Sequence, residues 1–162
     1  YGTPTDAIAK AIASFRGIRR RFSYQIKSDK LVYIDDYAHH PTEINAVHQA
    51  VRELYPGRKV LAIFQPHLFS RTKDFADGFA ESLSQFDEVF LMDIYPAREL
   101  PMEGVTSQWL LGKMTNSNKK IVAKNDLLAE IKASDAPIIV TIGAGDIGEM
   151  VPSIKKMLHE NI

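Results

Sequence analysis

Cysteine is absent from the 162 residues. That excludes disulfides and thiolate metal sites, and it fits a reducing cytoplasm. Net charge is absent too: 20 Lys and Arg balance 20 Asp and Glu. No broad field therefore draws nucleic acid or an anionic membrane. No apolar run approaches the length of a membrane span, and no stretch of these residues reads as a signal peptide. GxxxxGK[ST] does not occur, so no phosphate-cradling loop of the P-loop kind is present. There is no internal repeat and no low-complexity tract. Methionine is missing from the first position, where Tyr1 stands, and the chain reads as a processed or excised piece of something longer.

What is present is regular alternation. The stretch "TPTDAIAKAIASFRG" reads as a helix, with Thr3 as cap, Pro4 in its first position and Asp6 in its first turn. Ala7, Ile8, Ala11, Ile12 and Phe15 form its apolar stripe and Gly17 ends it. Phe22, Tyr24 and Ile26 alternate as a half-buried strand does, "KSDK" supplies a turn, and Leu31 to Asp36 returns as a second strand. From Pro41 onward helices and strands follow one another. The helices are one carrying Ile44, Val47, Val51 and Leu54, "TKDFADGFAESL" with Phe75, Phe79 and Leu83 on one face, "QWLLGKM" begun by Ser107, "DLLAEIKAS" capped by Asn125, and a final one interrupted at Pro152. The strands between them are "KVLAIF", "EVFLMD", "KKIVA" and "PIIVTIG". Near-continuous apolar strands alternating with helices predict an open, doubly wound, three-layer α/β sheet. It should be mostly parallel, with one antiparallel strand from the N-terminal β-hairpin.

In such sheets ligands bind beyond the carboxyl ends of the strands. Those ends read "DDYAHHP", "QPHLFSRT", "DIYPARE", "AKN" and "GAGD". Four of the five carry polar or glycine-rich groups, and the topology puts them on one edge. Asp35 is read as a residue leaving the core for solvent. A tight hairpin turn at Ser28-Asp29 would set Arg21 opposite Asp36. That pair could hold a ribose hydroxyl and a phosphate, or it could be a surface ion pair of little worth. Arg19, Arg20 and Arg21 together read first as a solvated turn. His39 and His40 stand at a helix start that favours an anion, and the alternative is a capping residue beside an exposed one. His67 and Arg71, four residues apart, would converge on one helical turn as a clamp for a small carboxylate. A cation opposing the dipole at a helix start hints at such a purpose for Arg71. Gly143 and Gly145 permit close backbone approach to a ligand. Tyr95, Arg98 and Glu99 sit on a long loop.

Five segments, "FRGIRRRF", "DDYAHHPTEI", "FQPHLFSRT", "MDIYPARE" and "TIGAGDI", resemble in this order the C-terminal domain of the Mur ligase family, and the resemblance covers nearly the whole chain. It implies a Rossmann-like lid, residues 17–162, preceded by a helix from the end of a central domain or linker, residues 1–16. It implies part of an ATP-dependent amide ligase of peptidoglycan stem synthesis, requiring ATP and magnesium. Such an enzyme would join L-alanine to the lactyl carboxylate of UDP-N-acetylmuramate through an acyl phosphate. An N-terminal UDP-sugar domain and a central ATPase domain would be its partners, and this piece alone would be inactive, with no cofactor tightly bound. By the same resemblance Arg21 and Asp36 contact the nucleotide when the lid closes. Tyr37, His39, His40, His67, Arg71, Gly143, Ala144 and Gly145 line the amino-acid site. Leu68 departs from the pattern, since many relatives carry arginine there, and Arg98 stands where "YPAGE" would place glycine.

Two other classes compete. A phosphoryl-accepting receiver module would use Asp93 as its phosphosite, but its last strand should end in a lysine rather than "TIGAG". A histidine/aspartate metallohydrolase would draw ligands from Asp36, His39, His67 and Asp93.

Overall fold

The computed structural model describes residues 2–15 and 17–160. Tyr1 and Arg16, which fall in the first predicted segment, lie outside the described residues, as do Asn161 and Ile162. The elements run α1 (Thr5–Ser14), β1 (Ser23–Lys27), β2 (Val32–Asp36), α2 (Pro41–Leu54), β3 (Val60–Phe64), α3 (Phe69–Asp74), α4 (Ala76–Leu83), β4 (Glu88–Leu91), α5 (Ser107–Lys113), β5 (Lys119–Ile121), α6 (Leu127–Ala133), β6 (Ile138–Ile142) and α7 (Ile147–His159). One six-stranded sheet has the order β1-β2-β6-β3-β4-β5. Only β1–β2 is antiparallel. The predicted open, mostly parallel sheet is the fold observed.

Strands β2, β3 and β6 are buried along their whole length. Their side chains point alternately to two cores. On one face Ile34, Ala62, Phe64, Val140 and Ile142 pack under Ile44, Val51, Phe79 and Leu83 of α2 and α4. On the other, Tyr33, Leu61, Ile63 and Ile139 pack under Leu127, Ile131, Ile147 and Ile154 of α6 and α7. Two-sided burial is why these strands read as apolar runs rather than as alternation.

Several local expectations are corrected. The hairpin turn is longer than a two-residue turn: Ser28 N–H donates to Leu31 O at 3.0 Å, so Lys27 faces Val32 and Ser23 faces Asp35. A bulge between Tyr24 and Ile26 moves the strand to the other face, leaving Phe22 against one core and Ile26 in the other. Helix α1 starts at Thr5 with Pro4 as its uncapped N-cap, and none of its residues is buried. Its apolar stripe stays largely exposed; Ile12 is 70% exposed. Leu54 ends α2 exposed. The helix after β3 breaks at Phe75, which is exposed, whereas Phe79 and Leu83 are buried as expected. Asp126 rather than Asn125 is the N-cap of α6. Helix α7 runs through Pro152 without interruption.

Candidate functional site

All five parallel strands point their carboxyl ends at one rim, and hydrogen bonds tie the loops there into one structure. Gly143 N–H donates to Asp36 O at 3.1 Å, joining the ends of β6 and β2. Gln65, just past β3, is buried. Its Nε2 donates to Asp146 Oδ1 at 2.6 Å and its Oε1 accepts from Ile147 N–H at 2.8 Å. Tyr95 N–H donates to Pro66 O at 2.8 Å and Leu68 N–H to Tyr95 O at 2.9 Å, joining the loops after β3 and β4. Lys124, after β5, closes the line with an ion pair to Asp146 Oδ2 at 2.6 Å. Burial works against the Asp146 carboxylate, but Lys124 and the Gln65 amide outweigh it and hold its pKa below the usual range.

The acidic pair after β2 is divided differently from expectation. Asp35 is 1% exposed, not solvated. It pairs with Arg20 Nε at 3.0 Å and accepts from Thr141 Oγ1 at 2.9 Å. Arg20 is therefore no solvated member of a basic turn. Asp36 is not opposite Arg21; the longer hairpin turn and the bulge move the register. Its Oδ2 accepts from Phe22 N–H at 2.6 Å and its Oδ1 from Ala38 N–H at 2.7 Å. Burial pushes the Asp36 carboxyl up; those two N–H groups and the Arg21 charge pull it back only in part. Arg21 itself is half exposed, 3.8 Å from Glu43, with its guanidinium carbon 5.9 Å from the centre of the Tyr37 ring.

His40 is the N-cap of α2: its Nδ1 accepts from Thr42 N–H at 3.3 Å, while its ring meets Phe75 edge-on at 4.5 Å. The capping alternative thus describes its contacts. His39 donates its backbone N–H to Glu43 Oε2 at 2.8 Å, and its ring meets Tyr37 edge-on at 5.5 Å. Burial raises the Glu43 pKa, yet the His39 N–H and the nearby charges of His39 and Arg21 bring it below its usual value.

His67 and Arg71 do not share a helical turn. Leu68 is the N-cap of α3, with a left-handed backbone at φ 73°, and His67 precedes it in a parallel bridge to Tyr95. Burial lowers the His67 pKa first, and the charges of Arg71 and His39 lower it further. Because α3 has only six residues, Arg71 lies in its last turn, where a cation is favoured, and the dipole argument for it falls away. Among the described residues nothing forms a hydrogen bond or ion pair with the Arg71 guanidinium. Glu99 covers the start of α3, accepting from Ser70 N–H at 3.0 Å and from the Ser70 hydroxyl. A recess of about 480 Å³ opens here, lined by His67, Leu68, Tyr95, Ala97, Arg98 and Glu99.

The glycine loop is packed by its own chain. A Cβ at Gly143 would lie 2.8 Å from Gln65 O, and one at Gly145 2.8 Å from Tyr95 Cβ. The close approach these glycines permit is to Gln65 and Tyr95 rather than to open space. Ala144 lies between them, half-buried. Asp93 is exposed on the β4 loop. Among the described residues no group of three or more His, Asp or Glu is placed to hold a metal, so the metallohydrolase ligand set does not assemble. Sequence reasoning missed Arg20, Gln65, Glu43 and Lys124. All four stood inside segments already quoted, Arg20 in "FRGIRRRF", Glu43 in "DDYAHHPTEI", Gln65 in "FQPHLFSRT" and Lys124 in "AKN", but no spacing rule marked their partners.

A sheet with every parallel strand ending at one tied rim defines an α/β domain of the Rossmann-like class, in which ligands bind at such a rim. The model of the Mur ligase, glutamate ligase domain matches residues 20–146, and the chain belongs to that family. It is 94% identical over all 162 residues to the UDP-N-acetylmuramate–L-alanine ligase of Flavobacterium johnsoniae, covering 36% of that protein. It is 73% identical over 160 residues to the ligase of the same description from Flavobacterium psychrophilum, again covering 36% of it and 99% of this chain. The crystal structure of UDP-N-acetylmuramate-alanine ligase from Thermotoga maritima superposes with a TM-score of 0.76 at 26% identity, over 99% of this chain and 35% of that one. The chain thus spans about a third of the length of these relatives. Among the described residues no helix is long and apolar enough to cross a membrane. Neither the family nor these relatives support a receiver module.

Proposed function

We propose that this chain is the amino-acid-binding lid of an ATP-dependent ligase that joins L-alanine to the lactyl carboxylate of UDP-N-acetylmuramate. ATP would convert that carboxylate to an acyl phosphate; the alanine amine would attack the acyl carbon, and phosphate would leave. Residues 17–162 would be the lid, and residues 1–16 would belong to the preceding domain or linker. The exposed apolar stripe of α1 is in keeping with that division. One observation carries the reading: the unpaired Arg71, the His67–Tyr95 recess and the Arg21 turn stand along a single rim in a chain of this family.

Arg71 suits the alanine carboxylate, because its planar fork is unoccupied and a neutral His67 stands beside it. Arg21, half exposed, suits a phosphate oxygen of ATP. Asp36 supports that turn from below through Phe22 N–H, so its part in nucleotide contact would be chiefly to hold Arg21 in place. Tyr37, His39 and His40 wall the cleft between the two. Among the described residues no group of three or more His, Asp or Glu is placed to hold magnesium, which would be held with ATP by the other domains of the ligase. Closure of the lid would orient the amine and exclude water from the acyl phosphate. The protein would act in the cytoplasm.

The test is alanine-dependent phosphate release by the chain joined to its missing domains, and none by the chain alone. Arg71→Ala should raise the KM for alanine about tenfold or more with kcat changed less. An unchanged KM would remove Arg71 from the alanine site.

A further inference from the structure

Arg20 belongs to neither subsite, yet it adjoins Arg21 in the chain and touches Tyr37 and Gly143. Its backbone is left-handed at φ 58°, as is that of Phe22 at φ 44°, and between them Arg21 is turned outward. Its carbonyl accepts from Tyr37 N–H at 2.7 Å. Its guanidinium works in three directions. Nε meets Asp35 Oδ2 at 3.0 Å, Nη2 donates to Gly143 O at 2.7 Å, and Cζ lies 5.0 Å from the centre of the Tyr37 ring. Gly148, in the first turn of α7, makes room for it: a Cβ there would lie 2.6 Å from Arg20 Cζ. None of these contacts is needed to close the sheet, since β1–β2 and β2–β6 have ladders of their own. What Arg20 adds is a link between the Arg21 turn, the Tyr37 loop and the glycine loop.

We propose that Arg20 is a positioning residue that fixes the nucleotide-facing turn and the glycine loop in one relation, so that the two subsites of the rim form or fail together. Only a planar fork can donate to Asp35 and Gly143 at once while lying against Tyr37; a lysine keeps the charge and loses the geometry. The functional half of this inference rests on the reading of the rim as a site for nucleotide and amino acid.

Amide hydrogen exchange on the 162-residue chain tests the structural half. In Arg20→Lys, exchange should rise about tenfold at Phe22 and Gly143, whose N–H groups both donate to Asp36, while Val60–Phe64 in β3 stays within about twofold. Gly148→Ala should do the same from the outside, although alanine is the better helix residue. Unchanged exchange at Phe22 and Gly143, or an equal rise throughout β3, would overturn the proposal. In the enzyme with all its domains, Arg20→Lys should raise the KM for ATP and for alanine together by about tenfold, with kcat within about threefold. Arg21→Ala should raise the KM for ATP alone. If only one KM moves in Arg20→Lys, the coupling is refuted. If the wild-type enzyme releases no phosphate with alanine, the functional reading fails, and the exchange result still decides what Arg20 does.

Discussion

His67 lies nearly flat on Tyr95, with ring centroids 5.6 Å apart and planes 25° from parallel, and its Nδ1 is buried without a hydrogen-bond partner. An imidazolium would bury an unsatisfied N–H there, so the neutral ring with its proton on Nε2 is favoured.

The His67 midpoint in an NMR titration of the chain should therefore fall below the ordinary histidine value, about 6.5. Arg71→Leu should move it up by removing a nearby cation. The sign for stability follows: the unfolded chain takes the proton first. The His67 contribution is complete above the ordinary value and is lost as pH falls through the lower folded one.

Asp36→Asn should destabilise the chain by about 1–3 kcal/mol in urea unfolding at pH 7, because one amide oxygen cannot serve two buried N–H donors. The donors are those of Phe22 and Ala38. An unchanged midpoint would mean that this carboxylate does not clamp the Arg21 turn.

Gly145→Ala should cost about 1–3 kcal/mol by overpacking. The added methyl would collide with Gln65 Oε1 and with Tyr95. Gln65→Ala in the same chain should recover part of that loss, and failure to do so would place the strain on Tyr95 alone. Double-mutant unfolding curves make the measurement.

Leu68 holds a positive-φ backbone, φ 73° and ψ 133°, in a sparsely populated region that costs a non-glycine residue about 1–3 kcal/mol. Leu68→Gly should raise stability by up to about 1 kcal/mol after the entropy of glycine is counted. Leu68→Val, branched at Cβ, should lower it. The two unfolding midpoints should move in opposite directions.

Asp146 contributes stability above its unfolded pKa, about 3.9, that is lost as pH falls through its lower folded value. Lys124→Met should bring that loss to higher pH. Acid unfolding followed by circular dichroism should show the midpoint move upward.

By itself the sequence determined the sheet, its buried strands and the edge where the loops quoted from it collect. Apolar runs such as "VLAIF" and "IIVTI" need cover on both faces, and parallel strands must end on the same side. Residues within one loop were legible for the same reason: "DDYAHHP" leaves a strand and opens a helix wherever it folds. Only the tertiary structure decided which distant groups pair. The hairpin register shifted because a four-residue turn and a bulge replaced a two-residue turn, so Arg20, not Arg21, reached the acidic pair, at Asp35. Gln65 met Asp146 and Lys124 met the same carboxylate because β6 lies beside β3 and the β5 loop crosses toward α7. Periodicity is a local property of the chain, whereas strand order and the few ångströms that join two side chains are set by how all the elements pack at once.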